Sequence, residues 1–153
     1  MFEIKTEILI ATTPEHVWSY IIDINHWKRW NPIIAEAQGN IELNQKIELT
    51  MKGKGEKHGP KYSPSIIICE KPHHLRWSTK ILFGLMMKND KILKLELHDG
   101  LTKLTHIEAF GGLMALFFRK QFEKGVPVML QSMNEALKKN LEDEKSQNIQ
   151  LVK

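Results

Sequence analysis

His106 and Glu108 are the residues of this chain whose types and spacing best suit chemistry. They stand two apart in Leu104-Thr105-His106-Ile107-Glu108-Ala109-Phe110, a strand-like run that sends both to one face. An imidazole oriented by a carboxylate suits general acid–base work. The same groups inside an apolar cavity suit a second role, in which a few polar atoms orient a mostly apolar ligand. The structural alternative pairs Glu108 with Lys91 and bonds His106 to the backbone. No nucleophile is placed beside a base by the sequence. Seven histidines are scattered and no Cys/His spacing suits zinc, so no metal and no other cofactor is expected. Gly53-Lys54-Gly55 lacks both the pattern and the strand-to-helix setting of a phosphate loop. The single cysteine, Cys69, follows Ile66-Ile67-Ile68, which predicts a buried, inert thiol and no intrachain disulfide.

The turn that positions the pair is Asp99-Gly100, which favours a two-residue type I′ hairpin. That turn fixes a register in which Leu97 faces Thr102, Leu95 faces Leu104, Leu93 faces His106 and Lys91 faces Glu108. On the opposite side Glu96 meets Lys103, a pair suited to water, while Ile92 meets Ile107. The Leu93/Leu95/Leu104 side is therefore the inner one, and it carries His106 and Glu108 inward.

Upstream, residues 2–11 read as a first strand. Thr13 and Pro14 open a helix with Val17, Trp18, Ile21 and Ile22 on one face. Asp23 caps a second short helix bearing Trp27 and Trp30, ended by Pro32. Residues 46–52 alternate with Ile47, Leu49 and Met51 inward, and residues 53–61 read as a loop or hairpin tip. Strands follow over 62–71 and 74–82, with Leu75, Trp77, Thr79 and Ile81 on one face. After the hairpin, residues 113–141 read as one long helix striped by Val126, Met129, Leu130, Met133, Leu137 and Leu141, extended by Phe118 and Phe122. Pro127 predicts a kink. Residues 142–153 read as a polar tail that frays.

Charge is mildly basic, net +4, with basic and acidic residues interleaved, so no nucleic-acid partner is expected. Nothing approaches membrane-spanning length, which argues against stable membrane insertion. The first residues alternate charged and apolar with no continuous apolar segment; no leader and a cytoplasmic location are expected.

The order of these elements, together with Pro14 to Trp18, Asp23 with Trp30-Asn31-Pro32, Leu75-Arg76-Trp77, Leu104 to Gly112 and Met133 to Lys138, resembles the START/Bet v 1-like (SRPBCC) superfamily, in its bacterial polyketide cyclase/dehydrase-type branch. The resemblance implies an α+β helix-grip fold over residues 1–141. In that fold a curved antiparallel sheet of about seven strands wraps around a long C-terminal helix, with two short helices after strand 1. At Asn44-Gln45, where relatives often carry glycine, Asn tolerates the left-handed geometry.

The resemblance also implies a cavity between sheet and helix. Combined with the inner-face alternation, it predicts a lining of Trp30, Leu49, Met51, Trp77, Leu93, Leu95, Phe118, Phe122, Met129 and Met133, with His106 as polar anchor. The leading expectation is a carrier or sensor of a small apolar, lipid-like or polyketide-like molecule. One alternative is a cyclase or hydratase using His106 and Glu108 as acid and base. Another is a protein-interaction module resembling chaperone-ATPase activator domains. The segment Phe83-Gly84-Leu85-Met86-Met87 is too apolar for an ordinary exposed loop; it is a candidate cover for the cavity mouth or a homodimer surface.

Overall fold

In a computed structural model, which describes residues 1–55 and 58–151, strand β1 (Phe2–Ile10) alternates as its sequence requires, with Ile4 and Ile10 buried and Glu3, Lys5 and Glu7 exposed. Helix α1 (Pro14–Ile22) starts at Thr13, whose Oγ1 accepts from the His16 N–H at 3.3 Å. It buries Val17, Trp18 and Ile21, while Ile22 lies at the margin of that face and is exposed. A 3₁₀ turn leads into α2 (Trp27–Trp30). Asn31 then turns the chain, its Oδ1 accepting from the N–H groups of Ile33 (2.9 Å) and Ile34 (3.0 Å).

Among the described residues, eight strands follow the antiparallel rule in two sheets. The larger has the order β1, β8 (Leu101–Gly111), β7 (Met87–His98), β6 (His74–Ile81) and β5 (Ser65–Glu70). The smaller consists of β2 (Ile34–Gln38), β3 (Glu48–Lys52) and β4 (His58–Tyr62). A Lys46/Ser65 bridge joins them, with Ile47 N–H to Pro64 carbonyl (3.1 Å) and Ile66 N–H to Gln45 carbonyl (2.8 Å) alongside. Asn44 sits there at φ 65°, the left-handed conformation its side chain tolerates. The expected tip at 53–61 thus contains most of β4. Gly59-Pro60 fits a strand there because β4 is an edge, where a missing N–H costs nothing.

The β7–β8 hairpin has the register required by its turn. Asp99 (φ 50°) and Gly100 (φ 77°) form the turn, and Leu97/Thr102, Leu95/Leu104, Leu93/His106 and Lys91/Glu108 are paired. Glu96 and Lys103 meet on the outer face at 2.9 Å.

The expected single helix divides into α3 (Leu113–Phe117) and α4 (Arg119–Leu151). The break falls at Phe118 (φ −97°, ψ 12°), while Pro127 lies within α4. Residues 142–151, expected to fray, continue α4; residues 152–153 of that expected tail lie outside the described residues. Three contacts hold that end: Glu142 Oε1 accepts from Ala11 N–H at 3.0 Å, Lys145 Nζ donates to Ala11 carbonyl at 3.0 Å, and Tyr20 donates to Glu144.

Packing resolves into two apolar clusters. One gathers α1, α2, the smaller sheet and the Leu137–Leu141 end of α4 around Trp18, Trp27, Trp77, Leu95 and Leu104. The other packs Ile4, Phe110, Ala115, Val126 and Leu130, with Met87, Phe122 and Met129 at its margin. On the inner face of β8, Leu104 belongs to the first and Phe110 to the second; His106 and Glu108 lie between them.

On the outer face, buried Asp90 bonds Arg76, Ser78 and Lys88. Burial opposes its ionisation, but hydrogen bonds from Arg76, Ser78 and Lys88 hold its carboxyl below the ordinary value. Asp90→Asn leaves two cations facing an amide and should cost about 3 kcal/mol at neutral pH by urea unfolding. A depressed carboxyl stabilises above its unfolded value and loses that contribution as pH falls through the folded one. The difference between wild type and Asp90→Asn should therefore shrink below about pH 4.

Candidate functional site

The two clusters leave a cavity of about 350 Å³ between them, lined by Ile33, Ile34, Met51, Pro60, Tyr62, Trp77, Thr79, Ile81, Met87, Asn89, Lys91, Glu108 and Met129. Strand alternation explains the floor. Trp77 and Thr79 come from the inner face of β6, Asn89 and Lys91 from that of β7, and Glu108 from β8. Apolar side chains from β2, β3 and α4 close over them. One residue pair further along the same strands, Leu93 and His106 line a smaller space of about 20 Å³ with Ile21, Trp27, Trp30, Trp77, Leu104, Met133, Asn134 and Leu137. Trp77 is common to both.

The polar groups are few and specifically held. Lys91 Nζ lies 2.7 Å from Glu108 Oε1, with both side chains less than a tenth exposed. Asn89 Nδ2 donates to Glu108 Oε2 at 3.4 Å. Burial works against the Lys91 ammonium, but the Glu108 carboxylate and then Tyr62 outweigh it and raise the amine above its ordinary value. The Tyr62 phenol is itself raised, chiefly by burial.

His106 is only 2% exposed and is held from the helix. Asn134 Nδ2 donates to Thr6 Oγ1 at 3.0 Å, leaving Asn134 Oδ1 to accept from His106 Nδ1 at 2.9 Å. That assignment puts the ring proton on Nδ1 and a lone pair on Nε2, which is buried without a partner. Burial, and then the nearby positive charge of Lys91, depress the imidazole to about 3, against a smaller opposing effect of Asn134. The ring is neutral through the physiological range.

The residues expected around the site separate into groups. Met51, Trp77 and Met129 line the larger cavity. Trp30, Leu93, His106 and Met133, again with Trp77, line the smaller one. Leu49 and Leu95 are packed in the first cluster at 1% exposure, Phe122 stacks on Phe110 with ring centres 4.7 Å apart, and Phe118 is 45% exposed. Those four line neither space. Glu108 pairs with Lys91, as in the structural alternative, and does not orient His106; the ring is held neither by that carboxylate nor by backbone but by Asn134, which sequence reasoning missed because a contact across 28 residues leaves no local signal. Asn89 was accessible in principle, since it continues the inner-face series of Lys91, Leu93 and Leu95. Tyr62, at the end of edge strand β4, was not. Cys69 is half-buried, donates to the Ile41 carbonyl at 3.7 Å, and has its thiol pushed up by burial. Among the described residues no cluster of His, Cys, Asp and Glu is arranged to hold a metal ion.

A curved antiparallel wall, a terminal helix laid across it and an apolar space between them define a helix-grip, START/Bet v 1-like hydrophobic ligand-binding fold. The chain belongs to the family described as Polyketide cyclase / dehydrase and lipid transport, whose model matches residues 1–142. Several solved structures share the fold at low identity. A Rhodobacter sphaeroides protein aligns at TM-score 0.74 and 15% identity, over 92% of each chain. A Staphylococcus aureus protein of unknown function aligns at TM-score 0.74 and 10% identity, over 95% of this chain and 96% of that one. The di-domain ARO/CYC StfQ from the steffimycin biosynthetic pathway aligns at TM-score 0.75 and 11% identity, over 94% of this chain and 52% of its own length. No curated protein matches the chain.

A neutral buried imidazole has a pH signature. Its folded value, about 3, lies below the unfolded value near 6.5, so its contribution to stability is intact above about pH 6.5 and declines as pH falls toward 3. Urea unfolding of wild type and His106→Gln should show the wild type losing ground to the variant between about pH 7.5 and 4.5. The His106 Cε1 NMR shift should stay flat across the same interval.

Proposed function

We propose that this chain binds one small, mostly apolar molecule in the cavity between sheet and helix, as a carrier or sensor. The observation that carries this reading is the cavity itself: about 350 Å³, walled by Ile34, Met51, Trp77 and Met129, and floored by a buried ion pair where two apolar clusters stop short of each other. That volume lies at the lower end for small-molecule sites, and a few fixed polar groups in an apolar wall are their usual composition. Methionine suits a wall that must fit an irregular apolar shape.

His106 Nε2 sharpens the reading. A buried acceptor without a donor costs free energy until a donor arrives. A ligand seated against Trp77 with a hydroxyl directed past it would supply one. A neutral hydroxyl suits the site better than a carboxylate, since Nε2 offers a lone pair and Lys91 is already matched by Glu108. The lipid transport and cyclase functions in the family's description agree with an apolar ligand of this kind.

The acid–base alternative rests on the same two residues. It is favoured by their common inward face and opposed by their partners: Glu108 is engaged by Lys91 and Asn89, and the imidazole is too weak a base to collect a proton near neutrality. Under the enzymatic reading, wild type turns over an identified ligand and Glu108→Gln abolishes that turnover while leaving binding; under the carrier reading, wild type binds the ligand and leaves it chemically unchanged.

The probes that test binding are 1-naphthol and its methyl ether, followed by quenching of tryptophan fluorescence. Wild type should prefer the naphthol by about tenfold, the worth of one hydrogen bond to a buried acceptor. His106→Leu should erase the preference without abolishing binding of the ether. Native mass spectrometry of the purified protein should also show a bound apolar molecule. Failure of both probes, together with a mass spectrum showing only bare polypeptide, would overturn the proposal.

A further inference from the structure

Seven large apolar side chains stand in water at one end of the molecule. Leu82, Phe83 and Leu85 come from the turn between β6 and β7, and Leu113, Leu116, Phe117 and Phe118 from α3 and the residue after it. Phe83 is fully exposed and Phe117 is 85% exposed. Neither position is a fraying terminus. Leu113 N–H donates to the Leu85 carbonyl at 3.1 Å and Met114 N–H to the Met86 carbonyl at 3.0 Å, so the two segments are hydrogen-bonded side by side. Gly112 allows that approach: it sits at φ 87°, and a Cβ there would come within 2.7 Å of the Met86 oxygen. In α3, Leu113, Leu116 and Phe117 share one helical face while Ala115 is buried against the body.

The backbone that presents Phe83 is strained. Leu82 (φ 49°) and Phe83 (φ 55°) both occupy the left-handed region, which bulky residues avoid. Such conformations cost free energy and persist where the surroundings enforce them, often at functional sites. Here the strained pair directs two apolar side chains outward.

The charge beside this patch is positive in excess. Lys88 pairs with Asp90 at 3.1 Å and Arg119 with Glu123 at 2.7 Å, while among the described residues no acid pairs with the exposed Lys80 or Lys120. The Arg119 guanidinium also covers the Phe2 ring at 5.0 Å. A second copy of the chain seated on this patch would bring like charges together. An apolar tip inside a cationic collar instead complements an anionic lipid surface, where leucine and phenylalanine enter the acyl boundary and lysine and arginine meet headgroup phosphates.

We infer that the tip formed by the Leu82–Leu85 turn and α3 docks this protein on anionic membrane surfaces. Its placement matters for the cavity. Ile81, next to the turn, and Met87, just beyond it, both line the cavity, so a docked tip sets the mouth of the cavity against the bilayer. An apolar molecule could then pass between lipid and protein without crossing water. The docking is peripheral; among the described residues no helix is long and apolar enough to cross a membrane.

Co-sedimentation of the full chain with vesicles of phosphatidylcholine, and of phosphatidylcholine with one quarter phosphatidylglycerol, tests the inference. Binding to the anionic vesicles should exceed binding to the neutral ones at least tenfold and weaken strongly at 0.5 M salt. Phe83→Ser with Phe117→Ser should lower it at least tenfold, and so should Lys80→Glu with Lys120→Glu. The second pair touches no apolar contact, so it remains informative if the first misfolds. Neither pair should change naphthol binding, which separates failure of docking from failure of the cavity. Protein left in the supernatant with anionic vesicles overturns the inference. So does a concentration-dependent dimer in analytical ultracentrifugation that Phe83→Ser with Phe117→Ser converts to monomer, because a second copy would then cover the patch. Equal binding by wild type and all variants overturns it as well.

Discussion

A two-residue turn with both residues at positive φ leaves strands β7 and β8 a single register, and the interior of this protein follows from it. Because side chains alternate with a period of two, a slip of one residue would turn Leu93, Leu95 and Leu104 to water and Ile92 and Ile107 inward. With the register held by Asp99-Gly100, the inner face of β8 reads Leu104, His106, Glu108, Phe110. Its ends are apolar and its middle is not. Each end recruits its own cluster, and the polar middle prevents their fusion. The cavity is thus a consequence of sequence order along one strand face.

The Lys91–Glu108 pair maintains that separation. Removing two charges from water costs several kcal/mol per ion, and their attraction offsets this only with good geometry and further hydrogen bonds. The 2.7 Å contact and the amide of Asn89 provide both. Apolar residues of similar volume would often be at least as stable, so stability alone does not account for the pair. It keeps fixed polar groups at the floor of an apolar space, where the proposed ligand would find direction as well as contact area. His106 differs: Asn134 and Thr6 fix its orientation, and burial keeps it uncharged.

What the sequence disclosed was local or carried by turn chemistry. Asp99-Gly100 gave the pairing partners one by one, and Thr13-Pro14 marked the start of α1, because both signals act within a few residues. Asn134 could not be read, since it meets His106 only after α4 has crossed the sheet. Strand β4 was hidden by Gly59-Pro60, residues that argue against a strand except at an edge, and edge position is a property of the assembled sheet. Proline is the strong local signal for a helix break, yet Pro127 lies within α4 and the break falls at Phe118, whose type carries no such signal. The stripe of α4 was visible, but not which of its apolar residues would meet a cavity: Met129 and Met133 do, while Phe122 is taken by Phe110.

The exposed tip and the cavity belong to one arrangement. Sequence under pressure for stability alone would replace Phe83 and Phe117 by polar residues and relax the left-handed pair at Leu82 and Phe83, since neither phenylalanine contributes to burial where it stands. Strain and exposed apolar area occur together next to the cavity-lining residues Ile81 and Met87, and Gly112 permits the contact that holds them there. Under the proposed carrier role there is a kinetic difficulty, because the cargo must leave lipid and enter protein without lingering in water. A tip that attracts anionic headgroups while offering leucine and phenylalanine to the acyl chains shortens that passage. The free energy lost in strain and exposure would then be recovered when the tip meets lipid.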